Sequence, residues 1–168
     1  NIAQYIKEKS GKPIYLMSTP PADTQILYDL KEAGITQVAF NLEVFEKELA
    51  TKYMPGKGNI SRSIYETAFK TAVKLWGNTG NVRSIFIVGL EPEKSLMRGI
   101  EYVCSLGVAP ILSLFKPIGG TELHYMLPPN DTDVLHIYHE AQKICRFYGL
   151  ELGPECHYCE DNTIKITT

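Results

Sequence analysis

The sequence predicts an α/β fold, a partial (β/α) barrel of parallel strands with outer helices. Three observations predict it. Strand-like and helix-like stretches alternate four times along the 168 residues, the pattern of a parallel α/β sheet. Glycines at 34, 77, 107 and 149 close the helical stretches at a period of roughly thirty to forty residues, as a repeating βα unit requires. The run Ile85-Phe86-Ile87-Val88-Gly89-Leu90 is apolar or Gly throughout and flanked by turn residues, which describes a strand buried on both faces. Its closing Gly89-Leu90-Glu91 puts glycine where backbone must approach something closely, on the side of the sheet where such folds bind ligands. Four or five such units are too few to close an eight-stranded barrel; they make half of one, or a small open sheet.

Taken in order, Ile2 to Lys9 reads as a helix that Ser10-Gly11-Lys12-Pro13 stops, and Ile14 to Ser18 as a short buried strand ended by Thr19-Pro20-Pro21. Asp23 is placed to cap a helix to Ala33, with Ile26, Leu27 and Leu30 on its inner face and Gly34 just past its end. Thr36 to Phe40 is a strand that delivers Asn41-Leu42-Glu43, two polar side chains at a spacing that points both the same way. Lys52 to Asn59 is a polar loop, and Asn59 or Ser61 starts a helix through Ile64, Ala68, Ala72, Leu75 and Trp76. After the central strand, Glu93 to Leu106 spaces Leu96, Ile100, Val103 and Leu106 as a helix face. Val108 to Phe115 is the next strand, and Asp131 or Thr132 caps a last helix carrying Val134, Ile137, Tyr138, Ala141, Ile144 and Tyr148.

A chain of this length makes about one domain and buries roughly two thirds of its unfolded surface. One α/β domain over residues 1–168 is expected, with 150–168 as a C-terminal tail. A net charge of −2 and a pI near 6.1 give no field that gathers nucleic acid or an anionic membrane. No stretch approaches the ~18 apolar residues of a membrane span. Asn1 followed by amphipathic Ile2, Ala3, Tyr5 and Ile6 reads as a start inside a helix, so a piece of a longer protein is expected. Of the four cysteines, Cys104 and Cys145 lie in apolar helical patterns and Cys156 and Cys159 form a Cys-x2-Cys pair. This suits a reducing cytoplasm better than a disulfide framework.

Asn41 and Glu43 are the clearest candidates for chemistry, because an amide and a carboxylate at a strand end can hold vicinal hydroxyls, as on a ribose; the plainer alternative is loop capping. Arg62 sits in the first turn of a helix, where its planar fork suits a carboxylate or phosphate. Glu91 is either a site carboxylate or a surface charge, and Gly119-Gly120-Thr121 either a backbone cradle or an ordinary turn. Cys156 and Cys159 have the spacing of half a zinc or iron–sulfur site, with too few neighbours to complete four ligands. His124, His136 and His139 read as surface residues.

The motifs in their order resemble the radical S-adenosylmethionine enzymes, and within them the biotin synthase branch. Asn41-Leu42-Glu43 is similar to that family's Asn-Leu-Asp/Glu after the fourth strand, and Ser61-Arg62-Ser63 with Tyr65-Glu66 to its Thr-Arg-Thr-Tyr-x-Glu helix start. Ile87-Val88-Gly89-Leu90 resembles its fifth strand, and Phe115-Lys116-Pro117 with Gly120-Thr121-Glu122-Leu123 its sixth-strand turn. The resemblance runs over about residues 14 to 150. It implies a partial barrel with S-adenosylmethionine across the strand ends: Asn41 and Glu43 on the ribose, Arg62 on the methionyl carboxylate, and the strands around Val88 and Phe115 flanking the adenine. The family's Cys-x3-Cys-x2-Cys loop for a [4Fe–4S] cluster is absent. The resemblance therefore implies the C-terminal part of such an enzyme, inactive by itself, on a small-molecule substrate the sequence does not identify. A βα-barrel lyase or aldolase with a phosphate-bearing substrate, and a non-catalytic binding or assembly module, are the alternatives. If earlier strands are missing, the edge at Ile14 to Ser18 is open, and a homodimer across that edge is expected.

Overall fold

The structure is a computed structural model and describes residues 2–153 and 163–164. Its element order is α1 (Ile2–Ser10), β1 (Tyr15–Ser18), α2 (Gln25–Glu32), β2 (Gln37–Phe40), α3 (Lys47–Tyr53), α4 (Pro55–Gly58), α5 (Arg62–Trp76), β3 (Val82–Val88), α6 (Glu93–Ser105), β4 (Ala109–Leu114) and α7 (Asp131–Phe147). The four strands pair in chain order, β1-β2-β3-β4, and every pair is parallel. An order that never reverses is the signature of a barrel wall, since a doubly wound sheet must turn back on itself. The α/β class expected from the sequence is what the structure shows.

The helices make one layer on the sheet. Residues Val82, Ser84, Phe86 and Val88 of β3 are buried, and they alternate with half-buried Arg83, Ile85 and Ile87. The central strand therefore starts earlier than the apolar run suggests and is sealed on one face instead of two. The cause is the single helix layer: α5 and α6 pack on β3, α7 on β4, and α2 beside α5. Beneath them lies the main core, with Leu27, Val38, Phe40, Phe69, Trp76, Phe86, Val88, Leu96, Ile100 and Leu112 among its members.

Several termini follow from side chains that the sequence makes legible. Ser61 caps α5, its Oγ accepting from the Ile64 N–H at 3.4 Å. Asp23 accepts from the Gln25 N–H at 2.9 Å from one position outside α2, whose N-cap residue is Thr24 and not Asp23. The cap of α7 is Asn130, whose Oδ1 accepts from the Asp133 N–H at 2.9 Å, and not Asp131 or Thr132. Gly34, Gly77, Gly107 and Gly149 all have positive φ, as left-handed helix ends require.

Three further expectations are corrected. The first strand is not fully buried: Tyr15 and Leu16 are half-buried, while Met17 is 50% exposed and Ser18 is exposed, at the outer edge of the sheet. Ile26 lies on the exposed side of α2, leaving Leu27 as that helix's buried residue. The stretch Lys52 to Asn59 is not a loop throughout, since α3 runs to Tyr53 and Pro55 opens the short α4. Proline there sits at a first helical turn, where its missing N–H costs nothing.

A tight contact of the helix layer on the sheet is at Gly99 of α6. A Cβ at this position would lie 2.7 Å from the Phe45 Cβ and 2.8 Å from a Phe86 ring carbon. Gly99→Ala is expected to push α6 off β3 and lower stability by about 1–3 kcal/mol, read as a fall in urea midpoint at unchanged slope.

Candidate functional site

The site is built at the C-terminal end of β2. Past Phe40 the chain makes a turn that β3 and its following loop hold at every step. The Asn41 Oδ1 accepts from the Ile85 N–H at 3.1 Å, and the Leu42 N–H donates to the buried Ser84 Oγ at 3.0 Å. Glu43 then re-enters the ladder, its N–H donating to the Ile85 carbonyl and its carbonyl accepting from the Ile87 N–H, both at 2.8 Å. Glu43 has φ 63°, a left-handed conformation that costs a non-glycine residue about 1–3 kcal/mol and gathers at functional positions.

Glu91 closes the turn. Its two carboxylate oxygens accept from the N–H groups of Phe45 (2.8 Å) and Glu46 (2.9 Å), at the entry to α3. It is thus neither a ligand carboxylate nor a plain surface charge but a buried cap on unpaired backbone donors. Gly89, with φ 103°, is also not held open for a ligand. A Cβ there would lie 2.8 Å from the Pro129 Cδ and 3.3 Å from the Phe115 Cβ, so its close approach is to the loop ahead of α7.

Beside the turn lies a cavity of about 350 Å³, lined by Leu42, Val44, Lys47, Lys57, Arg62 and Tyr65 among others. Three cations face it. Lys57 pairs with the Glu43 carboxylate, and Lys47 donates to the Gly58 carbonyl. Arg62 donates from Nη2 to the Phe45 carbonyl at 2.7 Å, and its guanidinium lies 4.3 Å from the Phe45 ring centroid and 5.6 Å from that of Tyr102. Its Nη1 is buried without a partner. Burial depresses the Arg62 pKa, opposed by the tyrosines 102 and 65 and by the charges of Glu91 and Glu46; a guanidinium stays charged even so. An unpaired, desolvated donor beside an open cavity suits an anion.

The residues singled out from the sequence are dispersed by this geometry. Glu43 and Arg62 flank the cation-lined cavity, Arg62 in its wall and Glu43 behind Lys57. Asn41 is buried, with its side-chain oxygen committed to β3 and its backbone oxygen accepting from the Tyr65 hydroxyl at 3.2 Å. Val88 has its side chain in the main core, and its carbonyl accepts from the Phe115 N–H at 2.9 Å. Gly119 and Gly120 stand exposed in a turn. Lys47 and Lys57 were missed, although Met54-Pro55-Gly56-Lys57-Gly58, a proline-led turn with glycines on both sides of a lysine, was a readable signal.

No metal ligand set forms among the described residues. Cys156 and Cys159 lie outside them. Cys104 and Cys145 are buried between α6 and α7 with sulfurs 3.8 Å apart; the contact with Cys145, then burial, pushes the Cys104 thiol far up. The residues described here do not fit a [4Fe–4S] cluster, which needs thiolates at one open site. Among them, too, no helix is long and apolar enough to cross a membrane.

No protein-family model matches the chain. In sequence it is similar to a curated enzyme, bacteriochlorophyllide c C-7(1)-hydroxylase of Chlorobaculum limnaeum, at 30% identity over 112 residues. Those residues are 66% of this chain and 28% of the hydroxylase, so the chain spans little more than a quarter of the relative's length.

Tyr65, in the cavity wall, gives the site a pH signature. Burial, then the nearby Glu43 charge, pushes its phenol up to about 12, against an ordinary value of about 10. The unfolded chain thus loses this proton near pH 10 while the folded chain keeps it to about pH 12. Its contribution to stability is complete below pH 10 and is lost as pH rises through that window. Tyr65→Phe is expected to flatten the fall in urea midpoint between about pH 10 and 12, while costing roughly 1 kcal/mol at neutral pH for the bond to Asn41.

Proposed function

We propose that this chain is the cofactor-holding part of a radical S-adenosylmethionine enzyme. The observation that carries the reading is Glu43, held in a strained conformation at a strand end beside a cavity walled by Arg62. The ordered motifs of that family and the similarity to a hydroxylase support it. Glu43 would accept hydrogen bonds from the ribose hydroxyls, with Asn41 holding the turn that presents it. Arg62 Nη1 would donate to the methionyl carboxylate, and the backbone at Val88 and Phe115 would face the adenine. The group held there would supply hydrogen-abstraction chemistry when paired with a reduced cluster. The described residues hold no such cluster, and their part is to bind, orient and shield the cofactor. We place the substrate as a small molecule and the protein in the cytoplasm.

Calorimetry with S-adenosylmethionine tests the reading. Glu43→Ala and Arg62→Ala should each weaken binding by about 1–3 kcal/mol, the cost of a charge-assisted hydrogen bond. The three cations at the cavity favour a second reading, a lyase or aldolase with a phosphate-bearing substrate. Heat from millimolar inorganic phosphate with none from S-adenosylmethionine would favour that one instead, and a chain that binds neither is a module of another kind.

The edge also has a proposed partner. Met17 on β1 is half-exposed, and α1, which precedes it in the chain, exposes Ile2 and Tyr5 at 80% and 62%. We propose that two copies of the chain cover these surfaces. Light scattering at low micromolar concentration is expected to give twice the 18.9 kDa chain mass, and Met17→Lys to return it to the monomer. A wild-type monomer at all concentrations would defeat the pairing.

A further inference from the structure

We infer that Lys57 determines the specificity of this site by exchange: it occupies Glu43 when no ligand is bound and passes to the negative group of a ligand that takes Glu43. The inference rests on the reading of Glu43 as the diol-binding carboxylate. Lys57 lines the cavity and at the same time pairs with the Glu43 Oε1. A carboxylate grips two adjacent hydroxyls with both oxygens, so a ligand diol competes with this ammonium for Oε1.

The surroundings allow the exchange without refolding. Both ends of the pair stand on fixed backbone. Glu43 is locked into the β3 ladder by two hydrogen bonds. The α4 turn is pinned independently of the Lys57 side chain. Its Gly58 carbonyl accepts from Lys47 Nζ and from Thr51 Oγ1 (3.3 Å), and the Asn59 Nδ2 donates to the Pro55 carbonyl at 2.7 Å. A Cβ on Gly58 would overlap the Ala50 carbonyl, so the turn packs directly on α3. The part left free to move is the flexible stem of Lys57, whose side chain is 36% exposed.

The consequence is selection for two groups at once. A ligand with a diol and no anion must break the ion pair and leaves the ammonium beside an apolar wall of Leu42, Val44, Ala50 and Ile60. A ligand that also carries a carboxylate returns a partner to Lys57. Arg62 has only Nη1 to offer that carboxylate, because Nη2 is held by the Phe45 carbonyl and one face by the Phe45 ring, so the ammonium of Lys57 is the second cation the acidic group can meet. The class of ligand is a nucleoside bearing an acidic group beyond its 5′ position.

The test compares S-adenosylmethionine with decarboxylated S-adenosylmethionine, which keeps the sulfonium, the amine and the ribose and lacks the carboxylate. Calorimetry on the 168-residue chain should show wild type preferring the carboxylated form. In Lys57→Met that preference should shrink on the order of tenfold, about one charge-assisted contact, through weaker binding of the one and tighter binding of the other. Lys57→Gln should do the same and Lys57→Arg should keep most of the preference, and thermal melts identify which variants are folded, so that any one folded uncharged variant decides. An unchanged ratio in a folded uncharged variant overturns the inference and leaves the Glu43 reading standing, even if both affinities fall together. Wild type that binds neither ligand overturns both.

Discussion

The bonds that β3 and its loop send to the turn after β2 are the constraint on which the rest of the site depends. Within Asn41 to Glu46, side-chain and backbone groups of Ser84, Ile85, Ile87 and Glu91 satisfy one polar group after another. A buried turn with free N–H groups would be expensive, each orphan costing on the order of 1–3 kcal/mol. Here the N–H groups from Leu42 to Glu46 each meet a partner, and the geometry this imposes is what sets Glu43 at positive φ. The strain is distributed into the parallel ladder, where β3 is already fixed by β4 from Arg83 to Val88.

From that turn the cavity follows by short steps. Glu91 on the N–H groups of Phe45 and Glu46 fixes the start of α3, and α3 receives α4 through Gly58. Phe45, carried by the same turn, lies under the Arg62 guanidinium and against Gly99 of α6. One aromatic ring therefore couples the packing of a helix on the sheet to the placement of the arginine. The second, small core of Val44, Ala50, Leu90 and Phe115 sits at the strand ends and ties the segments after β2, β3 and β4 together. The cations are thereby displayed on a rigid apolar floor, where the field of each is less screened than in open water.

What the sequence makes legible here is local, and what it hides is long-range. Helix ends were readable because Ser61, Asp23 and the glycines at 34, 77, 107 and 149 act within a few residues of themselves. Parallel strands were readable from apolar runs, though the run at Ile85 could not say that only one of its faces meets helices. Asn41, Glu91 and Gly89 all looked available to a ligand. Their partners Ile85, Phe45 and Pro129 lie about forty residues away in the chain, and no periodicity or spacing reports a contact at that distance. Lys57 belongs to the same class, since its partner is on another element and its own neighbours are turn residues.

Magnitudes separate the Glu43–Lys57 pair from the strain beside it. A partly exposed ion pair such as this one, with side chains 20% and 36% exposed, contributes about 0–1 kcal/mol to stability. The left-handed conformation of Glu43 costs about 1–3 kcal/mol. The pair is thus too weak to be the reason the turn is strained; the ladder bonds to Ile85 and Ile87 and the grip of Glu91 supply that. It follows that the ammonium can leave without the turn relaxing. A carboxylate whose presentation is fixed by backbone, and whose counter-ion is held only weakly, is arranged for exchange of partners, and a purely structural ion pair has no need of that arrangement.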